Sequence, residues 1–133
     1  MSSVTIIVGY MAKATGDTTG LTKDVGWEMG ARRTVAADLD TVWAYLTGPG
    51  LRSWLGADEL PPMRSRTEKL RLRFDWTPPG TTRPTLLQLT LQKTRTGTTI
   101  AFHQEQLTGR EQRKELLTHW HGVLERLEEA LTR

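Results

Sequence analysis

Between Arg110 and Leu131 the apolar residues Leu116, Leu117, Trp120, Val123, Leu124, Leu127, Ala130 and Leu131 recur at spacings of three and four. That period lines one face of a long helix, and a stripe of that length must close over an apolar surface. The surface has to come from the residues upstream. The other face of the helix is charged throughout, with Arg110, Glu111, Arg113, Lys114 and Glu115 at one end and Glu125, Arg126, Glu128 and Glu129 at the other. All of these are expected to point at water. Thr108 and Glu111 stand at capping-box spacing, so Thr108 is the predicted N-cap.

The bulk properties exclude several classes. A chain of 133 residues holds one domain with a modest core. Hydrophobic content of 37% and charged content of 25% are those of an ordinary folded protein. With no cysteine, disulfides, thiolate chemistry and zinc–cysteine sites are ruled out, and an intracellular, cytoplasmic location fits. An excess of 18 basic over 15 acidic residues is too small to argue for nucleic acid. No run approaches the roughly 20 apolar residues needed to span a bilayer. The opening residues lack the positive charge and small-residue pattern of a signal peptide, and Met11 offers an alternative start to Met1.

Residues 1–24 read as a short apolar strand, Val4 to Tyr10, and a flexible lead-in over Ala12 to Asp24; residues 25–133 read as a single domain. Val25, Trp27, Met29 and Ala31 alternate with Gly26, Glu28, Gly30 and Arg32, which predicts a half-buried strand running to Val35. Asp38 is placed to cap a helix over Leu39 to Thr47, stopped by Gly48, Pro49 and Gly50. A second short helix follows over Leu51 to Gly56. Leu70, Leu72, Phe74 and Trp76 alternate with Arg71, Arg73 and Asp75 and predict a strand with one wet face. Leu87, Leu89 and Leu91 predict another, joined as a hairpin through Gly97 to a strand over Thr98 to Glu105.

This order of elements predicts an α+β helix-grip fold, a curved antiparallel sheet wrapped around a long C-terminal helix. Thr41 to Thr47, Leu51 to Gly56, Leu70 to Pro78, Phe102 to Glu105, and His119 and Trp120 followed by Leu124 and Leu127 resemble the SRPBCC superfamily. That group includes steroid-transfer START domains, polyketide cyclases and birch-pollen-allergen-like proteins. The resemblance is to its bacterial subgroup named after activators of a heat-shock-protein ATPase, abbreviated AHSA, and covers Gly26 to Leu131. Members carry two or three further strands where this chain has only Ala57 to Lys69. Thirteen residues at about 3.3 Å each make one strand with turns. Four clear strands therefore stand where relatives have six or seven, and the sheet is expected to be smaller or open at one edge. Val4 to Tyr10 is expected to cover an exposed edge, in its own sheet or in a second copy.

The resemblance implies a domain that binds a small hydrophobic molecule and needs no cofactor. The expected cavity lining is Trp54, Leu72, Phe74, Trp76, Leu89, Phe102, Leu117, Trp120 and Leu124. No catalytic residue is evident. A polyketide cyclase-like enzyme would need a polar group inside the cavity, for which Gln88, Gln104 and Arg33 are the candidates. A co-chaperone-like module would instead use a sheet edge or basic face to bind a protein or a second copy of the chain. His103 and Glu105 are expected to point outward if Ile100, Phe102 and Gln104 point in. His119 and His121 are two apart on a helix, so they do not share a face, and no metal site is expected from them. The cations Arg64, Arg66, Lys69, Arg71 and Arg73 read as the solvated face of a strand, with neither a nucleic-acid nor a membrane partner.

Overall fold

The computed structural model describes residues 4–7, 21–22 and 26–132. Its strands are β1 (Val4–Ile7), β2 (Leu21–Thr22), β3 (Gly26–Val35), β4 (Ser65–Thr67), β5 (Arg71–Trp76), β6 (Thr85–Lys93) and β7 (Thr98–Leu107). Two short helices, α1 (Leu39–Leu46) and α2 (Leu51–Trp54), follow β3, and α3 (Arg110–Leu131) ends the chain. The strands form one curved antiparallel sheet in the order β1-β3-β7-β6-β5-β4, with β2 also paired to β3. No helix among the described residues is long and apolar enough to cross a membrane.

The sheet has 7 strands rather than four. One of the additional strands, β4, comes from the stretch that had room for a single strand. The others lie upstream of β3. Val4 pairs with Arg33 and Ile7 with Gly30, so β1 covers the edge of its own sheet; Val8 to Tyr10 lie outside the described residues. Within the expected flexible lead-in, Leu21 pairs with Trp27 and Thr22 with Gly26.

Local chemistry explains most element ends. The Asp38 carboxylate accepts the Thr41 backbone N–H at 2.8 Å, which satisfies a donor that the first turn of α1 leaves free. Gly56 closes α2 with φ of 73°, a left-handed conformation that costs glycine little. In the β6–β7 turn Thr94 and Gly97 bond to each other through the Gly97 carbonyl at 2.8 Å and the Thr94 hydroxyl at 3.0 Å. A Cβ on Gly97 would lie 1.9 Å from the Val35 carbonyl oxygen, so only glycine lets the turn approach the end of β3.

Several sequence expectations need correction. The N-cap of α3 is Gly109, not Thr108, and no side chain caps it. Instead the Gln112 carbonyl accepts the Thr108 backbone N–H at 2.7 Å and is reached by its hydroxyl at 3.1 Å, so Gln112 does the work expected of Glu111. Arg113 does not face water. It is 8% exposed, and its Nε donates to the Glu28 carbonyl at 2.9 Å. Arg113 reaches Glu28 where the register of β3 and β7 shifts: Glu28 alone stands between Trp27 and Met29, against Glu105 and Gln106 of β7, and Gln106 takes a left-handed φ of 67°. Glu28, expected on the wet face, is 5% exposed. Leu70, expected on the buried face of β5, is 43% exposed because the strand begins at Arg71, after a turn at Lys69 with φ of 62°.

The cations of the β4–β5 region lie on an ion-paired surface. Arg64 meets Asp75 at 2.8 Å, Arg66 meets Glu68 at 2.6 Å, and Lys69 meets Asp40 at 3.0 Å. Such exposed pairs contribute little stability, about 0–1 kcal/mol each. Cohesion comes from the core beneath α3, where Met29, Ala31, Leu72, Phe74, Leu87, Leu89, Ile100, Phe102, Trp120, Val123, Leu124 and Leu127 are all fully buried.

Candidate functional site

The expected cavity-lining residues do meet under the helix, but they meet one another. Leu72, Phe74, Leu89, Phe102, Trp120 and Leu124 are 0% exposed and Trp54 is 2% exposed. Trp120 of α3 stacks on Phe102 of β7 with ring centroids 4.2 Å apart and planes 20° from parallel, leaving no gap for a ligand ring. Trp54 lies against the far side of this pair, 5.6 Å from Phe102 and 6.2 Å from Phe74. It is anchored there by its Nε1–H, which donates to the Leu46 carbonyl at 2.8 Å. Trp76 and Leu117 are partly buried at the margin of the core. Leu117 follows the inward-facing Leu116, while Trp76 extends the aromatic column outward, 5.4 Å from Trp120 and 5.9 Å from His119.

The polar candidates inside the grip are engaged. Gln104 is 0% exposed, as the strand register predicts. Its carbonyl accepts the Trp120 Nε1–H at 2.8 Å, and its amide donates to the Thr85 hydroxyl at 2.7 Å. That hydroxyl donates in turn to the Trp76 carbonyl at 2.7 Å. The chain fixes both tryptophans with no group left over for a reaction. Arg33 is paired with Glu128 of α3 at 3.0 Å. Gln88 lies opposite His103 on β7 and Arg73 on β5, in register with the outward-facing residues.

Open space lies where the aromatic column reaches the surface. A cleft of about 180 Å³ between the β5–β6 loop and the start of α3 is lined by Pro78, Pro79, Thr81, Gln112, Glu115, Leu116 and His119. The prolines keep the loop from pairing as a strand, and the Thr81 hydroxyl donates to the Pro78 carbonyl at 2.7 Å to close its turn. The His119 ring lies on Trp76 and meets the edge of Trp120 at 4.7 Å. Its Nε2 is buried and has no hydrogen-bond partner. Burial first, and the charge of Arg126 second, pushes the imidazole below its ordinary pKa, so the ring is neutral at pH 7. Of the cleft's lining residues only His119 was weighed from the sequence as a site residue; Trp76, a candidate too, lies beside it. Nothing in a linear pattern marks which loop folds over which helix face, so the pairing of Pro78 and Pro79 with Gln112 is visible only in the structure.

A second cleft, of about 310 Å³, lies at the other end of the sheet among Ala36, Asp38, Lys93, Arg95 and Gly97. It collects turn backbone and exposed charge.

The architecture recurs among solved structures. CalU16 from Micromonospora echinospora matches 98% of this chain and 74% of its own at 17% identity, with a TM-score of 0.69. An AHSA1-like protein from Rhizobium etli matches 83% of this chain and 86% of its own at 20% identity, with a TM-score of 0.64. This chain has the helix-grip fold of these proteins. DynU16, a protein of the dynemicin biosynthetic locus, has the same grip at a TM-score of 0.67 and 19% identity; this chain spans 46% of DynU16's length. No protein-family model matches the sequence, and no curated protein matches it. The helix grip is therefore recognised by its shape, at identities too low to carry a shared activity with it.

Proposed function

We propose that this helix-grip protein is a non-catalytic binding domain for a small, largely apolar molecule. Its seat is the cleft beside Trp76 and His119 rather than the interior of the grip. The observation that carries this reading is the buried His119 Nε2 without a hydrogen-bond partner, on a residue that also lines the cleft. A buried polar atom left unpaired costs free energy that a ligand's hydrogen bond would recover. The surroundings supply the rest of a small-molecule site: apolar Pro78, Pro79 and Leu116, and the polar Thr81, Gln112 and Glu115 to orient the ligand. At about 180 Å³ the cleft is smaller than the roughly 300–1,000 Å³ of sites for drug-sized ligands. It takes one ring or acyl end of a ligand, with the remainder lying over Trp76.

A tailoring enzyme would be the alternative, and a neighbour from a biosynthetic locus gives it a context. It needs a free polar group inside the grip, and the full use of Gln104 by Trp120 and Thr85 weighs against that.

The test is tryptophan fluorescence during titration with planar apolar compounds that each carry one hydrogen-bonding group. A ring-sized ligand is expected to bind in the range of about 10 µM to 1 mM. The response should shrink in Trp76→Phe, and the affinity should fall about tenfold in His119→Phe. A broad panel with no saturable response up to about 1 mM would count against ligand binding. It would favour the module that uses its surface to bind another protein.

A further inference from the structure

The outer face of the sheet, away from α3, gathers three residues with metal-binding chemistry. They are Glu28 of β3 and His103 and Glu105 of β7. His103 and Glu105 alternate with the inward-facing Phe102 and Gln104, and both are half-exposed. Glu28, next to the inward-facing Met29, lies on the same face, opposite the β7 bulge at Glu105 and Gln106. Gly30, directly opposite His103, puts no side chain between the imidazole and the carboxylate. The result is His103 Nε2 at 3.7 Å from Glu28 and His103 Nδ1 at 3.8 Å from Glu105. One ligand atom from each of the three residues lies within 4.8 Å of the others.

Glu28 is the decisive member. Its side chain is only 7% exposed, yet among the described residues no hydrogen bond reaches its carboxylate. Arg113 approaches the same residue from the helix side but bonds to its backbone carbonyl. A buried carboxylate is costly unless a cation or several donors attend it. The Arg113 charge acts on it only through space, and the imidazole at 3.7 Å stands beyond hydrogen-bond distance, so no donor binds the carboxylate directly.

We infer that Glu28, His103 and Glu105 form a binding site for one divalent transition-metal ion of the zinc class, with water completing its coordination. An imidazole with two carboxylates suits zinc or cobalt, whereas calcium and magnesium take oxygen ligands alone. At metal–ligand distances of about 2.0–2.2 Å the donor atoms must draw closer than they stand in the free protein. The half-exposed His103 and Glu105 make that movement, while the buried Glu28 stays in place. The bound ion would staple β3 to β7 on the face opposite the cleft. It shares no residue with the ligand seat, and the helix histidines His119 and His121 take no part.

Cobalt is the probe, because its visible absorption strengthens when protein ligands replace water. Titration of the untagged protein with CoCl2 at pH 7.5 is expected to saturate at one ion per chain, and ZnCl2 should displace the colour. Glu105→Gln and His103→Gln, both at half-exposed positions, should each weaken binding by about tenfold or more. Glu28→Gln should abolish it while the far-ultraviolet circular dichroism stays unchanged. His121→Gln should leave the titration as it was. No saturable cobalt signal up to about 1 mM, or an affinity that His103→Gln does not alter, would overturn the site.

Discussion

Gln104 holds a position where a leucine of similar size would satisfy the hydrophobic pattern, and its amide instead ties Trp120 to Thr85. Replacement by leucine strands the indole N–H in the core, at about 1–3 kcal/mol for an unsatisfied buried donor. Gln104→Leu should therefore lower unfolding stability by about 2 kcal/mol, read as a reduced urea midpoint at unchanged slope. His119 gives a pH signature with a definite sign. The unfolded chain takes up this proton near pH 6.5, while burial holds the folded imidazole's pKa lower. The stability linked to the neutral ring is thus present above about pH 6.5 and declines as the pH falls toward the folded value. Thermal unfolding between pH 7.5 and 5 should show this decline, and His119→Gln should make it shallower. An unaltered slope in the variant would mean that other groups set the acid limit.

At the scale of elements, the strands and helices that pack through a regular stripe were legible in the sequence. Asp38 before α1, the alternation of Leu72 and Phe74, and the period of α3 each pointed to the observed element because one repeat governed the whole segment. Legibility failed where a single residue broke the repeat. Glu28 and Arg113 are withdrawn from water beside a bulge of β7 at Glu105 and Gln106, and no composition rule signals a bulge there. The cleft was hidden for another reason, since it joins a proline loop to a helix more than thirty positions later, and that juxtaposition exists only once the sheet has formed. Two elements offer direct tests. Gly97→Ala forces a methyl against the Val35 carbonyl and should cost about 1–3 kcal/mol, measured by urea denaturation. Removing residues 1–10 takes β1 from the edge of β3, so the truncated protein should melt earlier and show a higher mass by light scattering. Unchanged melting and mass would mean that β1 protects nothing.

For the whole molecule, the main fact is that side chains occupy the space between helix and sheet. Phe102→Ala tests this by removing the ring between Trp54 and Trp120. It should lower stability by about 3–5 kcal/mol, a loss that a domain of this size can survive. It should also leave an apolar space that takes up benzene or indole, seen as recovered melting temperature. If those compounds stabilise the unmutated protein equally, the interior is not filled as described. The same aromatic column has a consequence for spectroscopy. Protons held above and beside stacked rings feel their circulating electrons, so methyl groups packed around Phe102 and Trp120 should resonate far from their ordinary positions in a proton spectrum. Those displaced signals make the interior its own probe. Diamagnetic zinc at the outer face or a compound beside Trp76 would leave them nearly still, whereas anything that parts the stack would move them first.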